Sequence, residues 1–403
     1  MNSTVRRRSL WGGLIGLAFL LGGLPWYLQH TVPRVPAAYA DRVATAVQCA
    51  GANRGRVITA LRLIRRDRQW VLCELLTRMS PYDLANISTA MLLDQVNGTL
   101  DMNAQVPWRL DPQEAIFQDH VLPFRIAGEG LENSRGELAT WLLPVVRICT
   151  TVPEAALRVR DWSLQTEPPT WVGSAYPHDY TPLAAWRHGR LTVRAGGTGC
   201  RAHSLFVVAA LRAVGIPASL LERPTNLRQE DSHLSVRYYD LQAQQWHPME
   251  LYGDDSALAS RQQSWGEVVL YAFPSTTSAD YIGQHRYDEL MDAGAFAHAT
   301  GTLRVTVTRQ GQPVPAATVG VYVWRDPPTG WYPALLGRTN QQGQADLTVG
   351  NTQGFRPYMV SAGIGDESTL RFVAVQAGAT HELHMDVAAP PAAHTVTFPP
   401  DKL

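Results

Sequence analysis

The hydrophobic pattern of this chain changes its period near residues 290–300, and that change limits the possible folds more than any other feature. From Thr302 onward apolar residues alternate with polar ones, as in strands that bury one face. Turn residues separate the alternating runs at 311–313 and 340–343. Short strands at this spacing predict a β-sandwich over residues 300–388, followed by a flexible, proline-rich tail over 389–403. The alternating positions are Leu303, Val305, Val307, Val319, Val321, Val323, Leu347, Val349, Phe372 and Ala374.

Residues 41–140 have a helical period instead. Apolar side chains recur every three or four residues, and Met79-Ser80-Pro81 interrupts the pattern. We therefore predict a helical region there, and an α+β chain as a whole. The residues with this spacing are Val43, Ala44, Val47, Val57, Leu61 and Ile64. The helical tendency continues over residues 117–165, where Leu138, Trp141, Leu142 and Val145 form an apolar stripe.

The N-terminus resembles an export signal. Arg6, Arg7 and Arg8 precede an uncharged, largely apolar run over residues 10–28, so the arginines are expected to stay in the cytoplasm. We predict that residues 1–40 are a signal anchor and linker, with a single pass through the inner membrane and a periplasmic domain. Ala38-Tyr39-Ala40 offers the alternative of secretion after cleavage, although it lies far beyond the apolar run.

Composition excludes some functions. The chain has 403 residues, 45% of them hydrophobic, and its 35 Lys and Arg balance its 35 Asp and Glu. This balance gives no general attraction for nucleic acid, which is not expected as a partner. The four cysteines are too few for a disulfide scaffold, although an exported chain could pair Cys49 with Cys73. His381 and His384 point to opposite faces of a predicted strand, so we expect neither a metal site nor a cofactor.

Cys200 is the candidate nucleophile. It follows the glycines of Gly196-Gly197-Thr198-Gly199 and opens a run with helical spacing that Gly215-Ile216-Pro217 ends. In the first turn of a helix, unpaired amide hydrogens and the helix dipole favour a thiolate. The alternative is a buried structural cysteine beside a flexible loop.

A histidine and an acid follow on predicted strands. Residues 231–239 alternate with His233, Ser235 and Arg237 on one face, and residues 246–251 form a second strand after a polar turn. A hairpin of these strands brings Glu250 within about two residues of the position opposite His233, on the same face. A carboxylate there can accept the imidazole N–H and support its role as a base.

These residues resemble the core of the transglutaminase-like superfamily. The matching residues are Gly199-Cys200, the helix end over residues 211–218 with the sequence LRAVGIPA, His233, and Trp246 followed by Glu250. The segment 117–125 is similar to the one that precedes this core in a bacterial subgroup. The resemblance implies a papain-like core over residues 141–290, with a helix packed on an antiparallel sheet, and a triad of Cys200, His233 and Glu250.

Two positions depart from that pattern. The usual acid is Asp, so Asp254 remains an alternative to Glu250, and Ser235 replaces a residue that is commonly aromatic. A second resemblance, over residues 312–317 and 339–343, is to the carboxypeptidase-regulatory or transthyretin-like β-sandwich, and it implies a structural or binding module.

The resulting prediction is an exported, cysteine-dependent acyl-transfer enzyme that acts on amide or isopeptide bonds. Its substrate would be a peptide or protein, including cell-wall peptide, and without an evident calcium loop we expect hydrolysis rather than cross-linking. One alternative is a catalytically inactive scaffold or binding protein of the cell envelope. Another is a carbohydrate-related role, for which Trp324, Trp331 and Tyr332 are the only indication.

Several other side chains have two interpretations. His203 could lie beside the site or be a flanking polar group, and His247 is expected to be structural. Trp171, Trp186 and Trp246 could line an acyl cleft or belong to the core.

Overall fold

The protein has an α+β fold with helices in its N-terminal half and mainly antiparallel sheets in its C-terminal half, as the sequence predicts at this coarse level. The computed structural model describes residues 35–126, 129–166, 181–183, 185–186, 200–223, 233–249, 251, 271–272, 300–325, 330–350, 357–365 and 367–388. The predicted signal segment over residues 1–34 and the tail over 389–403 lie outside these ranges. No helix within them is long and apolar enough to cross a membrane.

Residues 40–165 form a series of helices that are connected by loops and 3-10 turns. Their bounds are α1 Ala40–Cys49, α2 Arg54–Leu63, α3 Gln69–Arg78, α4 Pro81–Asn86, α5 Thr89–Asn103, α6 Ala115–His120, α7 Arg135–Val146 and α8 Val152–Gln165.

Hydroxyl side chains determine where three of these helices begin. Ser80 Oγ accepts a hydrogen bond from the Asp83 N–H at 3.0 Å, at the start of α4. Ser88 caps α5 and Thr151 caps α8 in the same way. Each cap satisfies an amide that has no partner within the helix. The Met79-Ser80-Pro81 interruption is therefore a helix boundary, as predicted.

The predicted apolar positions form the core of this helical region. Val43, Val47, Val57, Leu61 and Ile64 are all fully buried and belong to one hydrophobic cluster. Burial of these faces, rather than helix propensity, stabilises such short helices.

The next elements are a helix and a four-stranded sheet. The helix α9 is Cys200–Ala213, and the strands are β1 Ala218–Arg223, β2 His233–Asp240, β3 Gln245–Met249 and β4 Tyr271–Ala272. The strand order is β3-β2-β1-β4, and β4 pairs antiparallel with β1.

Strand β2 is buried on both faces. Leu234 and Val236 are buried, as their alternation predicts, but Ser235 and Arg237 on the opposite face are buried as well. The alternating pattern predicts a strand with one buried face, so the burial of the second face is a difference from that prediction.

Two further sheets form the C-terminal region. Their strands are β5 Thr300–Arg309, β6 Gln312–Pro313, β7 Thr318–Arg325, β8 Gly330–Arg338, β9 Gln344–Gly350, β10 Tyr358–Ile364, β11 Glu367–Val373 and β12 Thr380–Asp386. One sheet has the order β11-β10-β7-β8. In the other, β5 pairs antiparallel with β6 and β9 and parallel with β12.

Each of these sheets buries one face. Val305 on β5 and Leu347 on β9 are fully buried in one sheet, as are Val321 on β7 and Val360 on β10 in the other.

At the turn before β9, Gly343 has a positive φ of 71°, and an added Cβ would lie 2.7 Å from the Val307 carbonyl oxygen. Only glycine fits there.

Contacts divide the chain into two compact units. The first contains the described residues up to Ser219 together with Tyr238–His247, and the second contains Leu220–Arg237 and the C-terminal strands.

Candidate active site

Cys200 is the first residue of α9, and it is partly exposed. Behind it the helix is buried, with Phe206, Val207 and Val208 fully inaccessible. A helix N-terminus presents unpaired amide hydrogens and the positive end of the helix dipole, which favour a thiolate over a neutral thiol. Cys200 therefore combines an electropositive position with access from solvent.

The C-terminal end of α9 is closed by Gly215, which has a φ of +76°. The Gly215 N–H donates to the Arg212 carbonyl at 3.1 Å, and the Ile216 N–H donates to the Leu211 carbonyl at 3.0 Å. This is a Schellman motif, and it ends the helix where the Gly-Ile-Pro sequence predicts. The motif directs the chain from the helix into β1.

A buried hydrogen bond joins α9 to α8 one turn after Cys200. His203 is fully buried, and its Nε2 lies 3.0 Å from Ser163 Oγ. Ser163 Oγ donates its only proton to the Arg160 carbonyl at 2.6 Å, so it must accept from His203. His203 therefore carries a proton on Nε2. His203 is thus a fully buried polar residue, and nothing in the sequence indicates Ser163 as its partner.

Trp186 belongs to the core rather than to an open cleft. It is 1% exposed, its Nε1–H donates to the Ser163 carbonyl at 3.0 Å, and its ring stacks on Phe206 at 4.5 Å between centroids. Trp162 stacks on it at 5.2 Å. These contacts fix residues 185–186 against α8 and α9. Trp171 lies outside the described residues.

Two buried arginines hold the segment 121–125, which is part of the predicted segment that precedes the core. Arg212 Nη1 donates to the Arg125 carbonyl at 2.7 Å, and Arg135 Nη2 donates to the Val121 carbonyl at 3.0 Å. The Pro123 carbonyl accepts from both arginines. The segment is thereby fixed to α7 and α9.

Ring pairs indicate how β2 and β3 are aligned. Tyr238 stacks on His247 at 5.5 Å, and Tyr239 contacts Trp246 edge-on at 5.4 Å. Trp246 also contacts His120 edge-on at 4.7 Å. Pairs of this kind are typical of residues that face each other across two antiparallel strands.

The predicted base and acid are described only in part. His233 lies on a strand, as predicted, and is the first residue of β2, but its side chain lies outside the described part of the structure. Glu250 and Asp254 lie outside it entirely. The triad therefore stays a prediction.

The remaining cysteines are free thiols, so Cys49 and Cys73 are not bridged. Cys49 is exposed at the end of α1, whereas Cys73 and Cys149 are buried. Burial raises the pKa of the Cys73 thiol to about 12. Neither buried cysteine is a candidate nucleophile, because burial disfavours the thiolate form and keeps a substrate from reaching the sulfur.

Among the residues that the structure describes, no three His, Cys, Asp or Glu side chains are grouped to hold a metal ion. His381 Nε2 accepts the Gln376 N–H at 2.9 Å, and His247 lies against Tyr238. No family model matches this chain, and no curated protein sequence is significantly similar to it.

Proposed function

We propose that this protein is a cysteine-dependent acyl-transfer enzyme of the transglutaminase-like kind, with Cys200 as the nucleophile, His233 as the base and Glu250 as the acid that orients it. The observation that carries the proposal is the position of Cys200. It is the solvent-accessible first residue of a largely buried helix, whereas Cys73 and Cys149 are buried and burial raises the pKa of both thiols.

The proposed base and acid follow from the alignment of β2 and β3. If Tyr238 faces His247 and Tyr239 faces Trp246, the same register continued toward the start of β2 pairs Ser235 with Glu250. Positions two residues apart share a face, so Glu250 would be a diagonal neighbour of His233. A carboxylate at that distance can accept an imidazole N–H and fix its tautomer.

The proposed reaction is two-step acyl transfer. The Cys200 sulfur attacks an amide carbonyl and His233 takes the thiol proton. The imidazolium then returns that proton to the leaving amine as the C–N bond breaks, leaving a thioester. In the second step His233 accepts a proton from water, which attacks the thioester and releases the carboxylic acid and the free thiol.

We further propose a papain-like core around α9 and β1–β4, and a C-terminal β-sandwich formed by the two sheets of β5–β12. The buried alternate residues of both C-terminal sheets support the sandwich. With the basic and apolar N-terminal segment as an inner-membrane anchor, the enzyme would act on peptide or protein amide bonds in the periplasm.

The test is labelling of the purified protein with a thiol-directed acyl probe, followed by peptide mapping. We expect modification at Cys200, its loss in Cys200→Ala and His233→Ala, and its retention in the controls Cys49→Ala and His247→Ala. Comparison of Glu250→Gln with Asp254→Asn identifies the acid. Absence of labelling at Cys200 in folded wild-type protein, or equal labelling of His233→Ala, would contradict the proposal and favour the inactive scaffold.

A further inference from the structure

One short part of the helical region carries a strong local charge. Residues 54–68, which include α2 and the 3-10 turn after it, contain six arginines and one aspartate. The whole chain, in contrast, has equal numbers of basic and acidic residues. Positive charge is therefore concentrated on this part of the first unit, where it would attract an anionic partner.

Helix α2 has a buried side and an exposed side. The buried side is inaccessible to solvent and consists of Val57, Ala60 and Leu61. Arg56 and Leu63 are both exposed, and their spacing of seven residues places them on one side of the helix, about 10 Å apart. Arg62 is exposed next to Leu63, and Arg66 is exposed in the 3-10 turn. We call Arg56, Arg62, Leu63 and Arg66 the basic surface.

Charges of the basic surface are not neutralised by neighbouring acids. The guanidinium groups of Arg56 and Arg66 form neither an ion pair nor a hydrogen bond among the described residues. The acids nearby pair with two other arginines instead, in the pairs Arg65–Asp67 and Arg68–Asp101. The basic surface can therefore offer guanidinium donors to a partner without breaking an ion pair of Arg56 or Arg66.

Leu63 distinguishes the kind of partner. It is 63% exposed, the highest value for a large apolar side chain among the described residues. A single exposed leucine needs no explanation, but an apolar side chain among arginines is typical of surfaces that lie at a membrane interface. Guanidinium groups bind phosphate oxygens there while the apolar side chain enters the headgroup layer. A nucleic acid would also contact the arginines through its phosphates, but it would leave Leu63 in water.

The distance between the basic surface and the proposed anchor is short. The apolar run of the N-terminal segment ends at residue 28, and the 3-10 turn that precedes α1 begins at Ala37. The eight residues between them, 29–36, could span at most about 30 Å even when fully extended. Helix α2 follows α1 after a short turn and packs against it, so the basic surface is within reach of the same membrane.

We propose that the basic surface binds the anionic phospholipid headgroups of the membrane that holds the anchor. Guanidinium groups would contact the lipid phosphates, and Leu63 would lie between the headgroups. This inference rests on the anchor of the proposed function and adds a second membrane contact to it. A single tether allows many orientations of the helical region, whereas two contacts restrict it to one side toward the bilayer.

Hydrogen–deuterium exchange tests the basic surface in the full-length protein. The protein is incorporated into nanodiscs of phosphatidylcholine, with or without phosphatidylglycerol. Amides of residues 54–68 should exchange severalfold more slowly when phosphatidylglycerol is present, because bound headgroups stabilise the segment against local opening. Added sodium chloride should reduce this difference by screening the charges. Equal exchange in the two lipid compositions would overturn the proposal.

Two charge variants with the same loss of positive charge separate a local effect from a general one. Arg56→Gln/Arg66→Gln should lose the slower exchange that phosphatidylglycerol causes. The control Arg147→Gln/Arg158→Gln should keep it, because these exposed arginines lie at the end of α7 and in α8. All four side chains are exposed, so the variants should fold like wild type. The same slowing in both variants would overturn the proposal.

A further pair of variants tests the apolar contact. Leu63→Asp should reduce the effect of phosphatidylglycerol, whereas Ile148→Asp should not, although Ile148 is equally well exposed at 61%. Equal responses of these two variants would show that Leu63 does not enter the headgroup layer.

Incorporation into the discs separates failure of the anchor from failure of the basic surface. A chain that does not incorporate would contradict both the anchor and the surface that depends on it. A chain that incorporates but exchanges equally in both lipids would contradict the basic surface alone. Neither outcome affects the labelling test of Cys200.

Discussion

The Nε2 of His203 donates a hydrogen bond to Ser163 Oγ across 3.0 Å, and this contact joins the helix that begins at Cys200 to the helix before it. The backbone carbonyl of Ser163 accepts a hydrogen bond from Trp186 Nε1–H, so Ser163 holds both His203 and Trp186 in place. Buried polar contacts of this kind define one arrangement of packed elements because an alternative packing would leave a donor unsatisfied.

Ser163→Ala should therefore destabilise the protein by about 1–3 kcal/mol, since it leaves a buried imidazole N–H without an acceptor. The measurement is urea unfolding followed by circular dichroism. As a control, Thr140→Ala removes a hydroxyl that bonds to its own helix at an exposed position, and it should change stability by less than about 0.5 kcal/mol. Equal effects of the two substitutions would show that the Ser163–His203 bond contributes little.

Gly215→Ala should destabilise the protein by about 1–2 kcal/mol, because a Cβ is unfavourable at a φ of +76°. Space is available, since the nearest atom to an added Cβ would be Val106 Cγ2 at 3.5 Å, so the effect isolates backbone conformation. The matched control is Gly55→Ala in α2, where an added Cβ meets nothing within 4 Å and φ is not positive. That substitution should be neutral or stabilise by about 0.5 kcal/mol. Destabilisation by Gly55→Ala as large as that by Gly215→Ala would argue against the helix-end explanation.

The features that the sequence predicted correctly depend on local signals. The helix from Cys200 to Ala213 is bounded by a glycine that must adopt a positive φ, and the strands around Val305 and Val321 follow from side chains that alternate between two faces. Strand β10 was not predicted, although Tyr358 and Val360 alternate in the same way.

Contacts between distant residues could not be predicted. The Trp108 indole donates to the Val214 carbonyl 106 residues away, and Arg212 donates to the Arg125 carbonyl 87 residues away. A charged side chain on a helix is expected to face solvent, so nothing local indicates that Arg212 is buried. The pairing of Ser163 with His203 was not predicted either, because the two residues are 40 positions apart in the sequence.

Arg125 and Asp83 form a buried ion pair whose side chains are 6% and 2% exposed. Arg125 Nε lies 3.1 Å from each carboxylate oxygen. Removing one partner leaves an uncompensated buried charge, so Arg125→Met should destabilise by about 3–5 kcal/mol. The double variant Asp83→Leu/Arg125→Met should be less destabilised than the sum of its single changes.

A double-mutant cycle in urea measures this coupling between Arg125 and Asp83. The control pair is Arg65 and Asp67, which lie 2.8 Å apart and whose side chains are 66% and 60% exposed. Their coupling should be below about 1 kcal/mol because solvent screens the charges. Additive effects at Asp83 and Arg125 would contradict the prediction.

Cys73 should make the folded protein less stable at alkaline pH. Burial raises the pKa of its thiol in the folded state to about 12, whereas an unfolded thiol titrates near ~8.5. Between these values the unfolded state loses the proton first, so the stabilising difference is fully present below ~8.5 and is lost as the pH rises toward 12. The free energy of unfolding should fall by about 1 kcal/mol per pH unit from this group alone.

Urea unfolding between pH 8 and about 10.5 should show a steeper decrease for wild type than for Cys73→Ala, while the exposed control Cys49→Ala should keep the wild-type slope. If Cys73→Ala keeps that slope as well, the thiol at position 73 is hydrated in the folded protein and its burial does not determine the alkaline limit.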